Sequence, residues 1–130
     1  MTFVDTNYFL RFLLADIDRQ HQEAKKLFLD GAAGRIKLAS STIVFFEIYW
    51  VLSSYYHKKK EEIVPALQDI LRLAFIFFPE RKILRDTVDL FERNNLNLED
   101  CYNLCFAKNW QVKDFRTFDA ALAKKAKNII

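Results

Sequence analysis

The chain has 130 residues, with 20 Lys and Arg against 17 Asp and Glu, for a net charge of +3. At 52% hydrophobic and 28% charged, the composition excludes a disordered chain, and no apolar run is long enough for a membrane span. The length is that of one domain, taken as residues 1–130, and only two Gly and two Pro interrupt it, which suits long helices and short loops. The N-terminus shows no basic region followed by a signal-peptide core, so the expected location is the cytoplasm. The small positive charge permits a polyanionic partner without requiring one.

Phe3-Val4 reads as a short buried strand, and Asn7 to Leu14 as a helix rich in Phe and Leu. Asp16 or Asp18 is the expected cap of a second helix, HQEAKKLFLDGAAG, which stops at Gly31 or Gly34. IKLASS is strand-like, and Ser41 or Thr42 caps the almost wholly apolar helix TIVFFEIYWVLSSYYH. KKKEEIVPALQDILRLA is a further amphipathic helix in which Pro65 demands either a start nearer Glu62 or a kink. FIFF is a third apolar strand, ended by Pro79, and RKILRDTVDLFERNN follows as a helix. LNLEDCYNLCFAKNW opens a helix near Asn97, VKDFRTF is read as a last strand, and DAALAKKAKN closes the chain with Asp119 as its cap. Short apolar strands alternating with helices predict an α/β fold, a mainly parallel sheet of four or five short strands flanked by helices on both faces.

Such sheets place ligands beyond the carboxyl ends of their strands, and Asp5 lies at that point of the first strand. A charge at the edge of a core costs free energy unless something pairs with it or binds it. Glu47 is the only charge in IVFFEIYWVL, and its ordinary explanation is a salt bridge or a position at the helix rim. Asp100, like its neighbour Glu99, fits the first turn of a helix, and Asp119 fits an N-cap. Taken together, four carboxylates drawn close would repel one another, and a hard cation such as Mg²⁺ or Mn²⁺ would remove that repulsion. Cys101 and Cys105, four apart on a helix, read as core packing, and no His or Cys cluster completes a zinc pattern. His21 and His57 read as surface residues, and no serine has the His and acid partners of a nucleophile.

FVDTNYFLRFLL, TIVFFEIYWVL, LNLEDCYNLCFA and RTFDAAL, in this order and spacing, resemble PIN-domain ribonucleases. Within that family they resemble the VapC-like toxin subunits of toxin–antitoxin modules. The resemblance covers essentially the whole chain. It implies an acidic cluster of Asp5, Glu47, Asp100 and Asp119 holding one or two Mg²⁺ or Mn²⁺ ions. In it, Asp5 and Asp100 bind most directly, Glu47 completes or orients the set, and Asp119 serves a second ion. Thr6, Asn7 and Thr117 match polar positions that steady the acids or order water. Two features depart from the family pattern: Ala121 stands where another acid is common, and Lys113, Asp114 and Arg116 charge the last strand.

The implied reaction is hydrolysis of an RNA phosphodiester, leaving a 5′-phosphate and a 3′-hydroxyl. Arg11, Lys58, Lys59, Lys60, Arg116 and the lysines at 124, 125 and 127 are the candidates for holding RNA. The toxin resemblance implies a cognate antitoxin, with an Arg reaching the acids, and a homodimer formed by apolar residues of the first two helices and of the helix after Tyr56. Alternatives are a PIN-like RNA-processing nuclease outside such a system, or a catalytically silent module binding RNA or protein. A magnesium-dependent phosphoryl-transfer domain would need an Asp nucleophile with a Lys partner, which FVDTN lacks.

Overall fold

Strand and helix alternate from the first residues of the computed structural model, which describes Met1 to Ile130. The elements are β1 (Thr2–Phe3), α1 (Thr6–Leu14), α2 (Asp18–Ala32), β2 (Leu38–Ala39) and α3 (Thr42–Trp50). A π-helical segment (Val51–Tyr55), α4 (Lys60–Leu71), β3 (Ile76–Phe77), α5 (Arg81–Arg93), α6 (Leu98–Asn109) and α7 (Ala120–Ile129) follow. Two compact units divide the chain, Met1–Arg81 and Lys82–Ile130.

The first unit contains the sheet. Its strands run in the order β1-β2-β3, all parallel, with Thr2 opposite Leu38 and Leu38 opposite Ile76. Two helices lead from β1 to β2, and two helices with the π segment lead from β2 to β3. Parallel neighbours need such crossovers because a tight turn cannot join them. Val4, Leu38, Ile76 and Phe78 are buried, as are Phe9 and Leu10 of α1 and Phe28 of α2. Phe28 is the centre of an aromatic cluster, with ring centroids 5.5 Å from Phe9 and 4.9 Å from Phe12. Gly31 lets α2 approach β2 closely: a Cβ there would lie 2.6 Å from Leu38 Cδ1. Arg81 closes the unit by donating to the carbonyls of Leu71, Leu73 and Ile76, with its guanidinium 5.3 Å from the Phe78 ring centroid.

Local chemistry sets several boundaries. Ser41 rather than Thr42 caps α3, its hydroxyl accepting from Val44 N at 3.2 Å. Thr42 instead donates to Glu80 at 2.5 Å. The N-cap of α2 is Ile17, so neither Asp16 nor Asp18 caps that helix. Asp16 is drawn away by Arg11. The long apolar helix expected over 42–57 widens into π geometry at Val51 and ends at Tyr55. Helix α4 begins at Lys60, earlier than Glu62, and carries Pro65 on an exposed face, where only one backbone donor is lost.

In the second unit α6 packs on α7. Cys101 and Cys105 are free and buried, as the spacing predicts. The strand expected at VKDFRTF does not form, so the sheet has three strands rather than four or five. Lys113, Asp114 and Arg116 are all exposed, and Arg116 Nε donates to Asp114 at 2.7 Å. Only Phe115 and Thr117 there are partly covered, too little apolar burial to hold a central strand. His57 is exposed, but His21 is half-buried, against the surface reading: its ring stacks on Phe12 and Nδ1 lies 3.1 Å from the Arg11 carbonyl.

Candidate functional site

Asp5 follows the first strand directly, and the backbone around it is fixed by the sheet. Val4 N donates to Ala39 O at 2.8 Å, and the buried Ser40 hydroxyl donates to Val4 O at 2.8 Å. Asp5 is the N-cap of α1, yet its side chain accepts no capping hydrogen bond. An aspartate at this position normally accepts from the second or third helical N–H. Here both carboxylate oxygens remain available. Thr6, next in sequence, is 7% exposed, and its Oγ1 is buried without a hydrogen-bond partner. Leaving such a hydroxyl unpaired costs about 1–3 kcal/mol.

Glu47 lies half-buried in α3 between the buried Phe46 and Ile48. No Lys or Arg pairs with it. The sequence admitted a salt bridge or a place at the helix rim as the ordinary reason for a glutamate in this helix; no salt bridge forms, and the half-buried side chain fits the rim.

In the second unit, two acids are mounted at helix N-termini. The Asn97 side chain caps α6 by accepting from Asp100 N at 2.8 Å, which sets Asp100 in the first turn. Asp119 caps α7, accepting from Leu122 N at 3.0 Å, while Thr117 Oγ1 accepts from Asp119 N at 3.1 Å. Both helix ends favour negative charge. Even so, burial raises the Asp100 carboxyl above its ordinary value, with the Asp119 carboxylate and then Glu99 adding to the effect. Asp100 and Asp119 therefore sense each other, and no protein cation relieves them.

The basic candidates differ in freedom. Arg11 is committed: Nη1 donates to both Asp16 oxygens at 2.7 and 2.8 Å, and Nη2 to the Tyr56 hydroxyl at 3.3 Å. Arg116 is held by Asp114. Lys58 lies 3.7 Å from Glu62, and Lys59 is exposed with no ion pair. No group of three or more His, Cys, Asp or Glu side chains stands in metal-holding geometry.

The sequence profile of the PIN domain family matches residues 2–128. The chain belongs to the PIN domain family. PIN domains are generally metal-dependent nucleases that use divalent ions. No curated protein and no solved structure matches the chain. In this PIN domain the family-matched acids, though not gathered into one metal-holding group, carry the donor type that suits a hard divalent cation. Asp5, Glu47, Asp100 and Asp119 offer oxygen alone, the raised Asp100 carboxyl marks uncompensated negative charge, and the orphaned Thr6 hydroxyl sits beside Asp5.

Two residues that position this PIN domain's acids, and one that fixes Arg11, were not singled out for those roles in the sequence. Ser40 ties β2 to the backbone at Val4, Asn97 sets Asp100, and Tyr56 locks Arg11. Only Ser40 and Asn97 left a signal, a hydroxyl closing IKLASS and an Asn opening an apolar helix.

Proposed function

We propose that this PIN domain is a divalent-metal-dependent endoribonuclease and the toxin of a toxin–antitoxin pair. One observation carries the nuclease reading. Ion pairs engage acids such as Asp16, Glu23, Asp30, Glu62, Asp69, Asp86 and Asp114, and none engages Asp5, Glu47, Asp100 or Asp119. In a chain with 20 Lys and Arg, four family-matched acids without a cationic partner are available to an external cation. The toxin role rests on the resemblance of the four sequence segments to that subgroup.

Asp5 and Asp100 would hold the ion most directly, Glu47 would complete or orient the set, and Asp119 would serve a second ion. Mg²⁺ or Mn²⁺, when bound, supplies a water of lowered pKa and neutralises charge on the scissile phosphate. The protein's part is to aim the carboxylates. Ser40 fixes the backbone before Asp5, and the Asn97 cap orients the first turn that carries Asp100. The Thr117 hydroxyl does the same for the backbone of Asp119. Lys58, Lys59 and Arg116 would attract the RNA backbone, giving binding that weakens with salt. A cognate antitoxin whose Arg pairs with these carboxylates, and a homodimer, follow from the toxin reading.

A second reading, a PIN module that binds RNA or protein without cutting, draws on Ala121, exposed on α7 where the family often has an acid. The deciding experiment is RNA cleavage with and without Mg²⁺ or Mn²⁺, comparing wild type with Asp5→Asn. Cleavage that needs the metal and is lost in the variant supports the enzyme. Cleavage in chelator, or an unaffected variant, refutes it.

A further inference from the structure

Along α1, a groove of about 420 Å³ opens between that helix and the π segment, lined by the polar Asn7, Arg11 and Asp16, the tyrosines Tyr55 and Tyr56, and the apolar Leu10, Ile17 and Val51. It begins two residues after Asp5. The charged and hydroxyl groups on its floor are engaged with one another: the Tyr56 hydroxyl donates to Asp16 Oδ2 at 3.2 Å while accepting from Arg11. Because Asp16 neutralises Arg11, the floor carries no spare charge. The wall is different. Tyr55 is 74% exposed, and its ring stands edge-on to Tyr56 at a centroid distance of 4.9 Å and 74°, which leaves its outer face open. The π geometry of Val51–Tyr55 gives this turn its widened form, a device that recurs at functional sites.

We propose that this groove is a base-binding subsite for single-stranded RNA, with one unpaired base stacked on Tyr55 and its edge toward the Asn7 amide. The proposal rests on the nuclease reading for its choice of ligand. Two features favour RNA over a protein segment. The exposed Asn7 amide offers donors and an acceptor to a base edge. Past the tyrosines, Lys58 and the unpaired Lys59 supply positive charge complementary to a phosphodiester backbone. An aromatic face beside cations is the general arrangement for holding single strands. Arg11 is thus a positioning residue: it ties Tyr56 and Asp16 into the floor and does not itself grip phosphate.

The test is the affinity of the full chain for a short fluorescent single-stranded RNA, measured in chelator so that nothing is cut. Tyr55→Ala should weaken binding roughly fivefold to a hundredfold, the loss typical of one stacked base. Tyr55→Phe should stay within about twofold of wild type, with the melting temperature and elution volume of both variants unchanged. Equal affinity of Tyr55→Ala and wild type would overturn the subsite. So would a shift of Tyr55→Ala in oligomeric state, which would make this face a contact between copies of the chain. Preference for a duplex over a single strand would also overturn it. Failure here is separable from failure of the nuclease reading. Metal-dependent cleavage that Asp5→Asn removes survives a wrong subsite, whereas Tyr55-dependent binding without any cleavage refutes only the enzyme.

Discussion

The two units hold their acids by different means. In Met1–Arg81, Asp5 is fixed through the backbone: a parallel strand, the Val4–Ala39 hydrogen bond and the Ser40 hydroxyl determine where its Cα lies, and the carboxylate itself is left free. In Lys82–Ile130, Asp100 and Asp119 sit in first-turn and cap positions, and Asp119 spends one oxygen on Leu122 N. The sheet-borne acid has geometric support and no electrostatic compensation. The helix-borne acids sit where the helix dipole favours negative charge, yet burial, then the Asp119 and Glu99 charges, raise the Asp100 carboxyl. Helix ends alone do not neutralise a converging pair of carboxylates, and the deficit is what a cation would supply.

The largest expected effect tests the sheet-borne side. Asp5→Asn should lower RNA cleavage by at least about 100-fold, since even residues behind the ligands of metal sites cost about 10–100-fold when changed. Its melting temperature should hold, because the Asp5 side chain makes no hydrogen bond. Next in size are the supports. Ser40→Ala leaves the buried Val4 carbonyl without its partner and should cost about 1–3 kcal/mol in chemical denaturation. Asn97→Ala, which removes a cap at a helix end, should cost about 0.5–2 kcal/mol. A larger loss at Asn97 than at Ser40 would reverse the ranking of sheet over helix as the firmer anchor.

How much of this was legible beforehand varied with the physics of each segment. Apolar runs at Phe3-Val4, IKLASS and FIFF located all three strands, although only one face of the edge strands is buried: Val4, Ile76 and Phe78 are covered while Phe3 and Phe77 are exposed. VKDFRTF misled because its alternating Val, Phe and Thr imitate a strand, while Lys113, Asp114 and Arg116 make its burial too costly. The π widening after Trp50 was invisible, since nothing in VLSSY departs from ordinary helix chemistry. Asp119 was legible as a cap from the residues around it. The Arg11–Asp16–Tyr56 network was not, because Tyr56 is 45 positions from Arg11 and only the fold brings them together.

A smaller effect sharpens the helix-borne side. The folded Asp100 carboxyl titrates above the ordinary aspartate value of 3.8, so its contribution to stability is present below that value and is lost as pH rises through the folded one. At neutral pH the ionised group therefore weakens the metal-free fold. Asp100→Asn should melt higher than wild type at neutral pH in chelator, and the difference should shrink in acid. Added Mg²⁺ should then raise the wild-type melting temperature more than that of Asp100→Asn. The smallest effect belongs to the charged loop: Arg116→Ala breaks an exposed pair and should change stability by less than about 1 kcal/mol.

Calorimetric titration of Mn²⁺ into wild type, Asp5→Asn and Asp100→Asn tests most directly whether the unpaired acids bind a divalent cation. The account predicts that each substitution alone weakens Mn²⁺ binding. Wild-type binding that either variant retains in full, or no binding by the wild type, would contradict it.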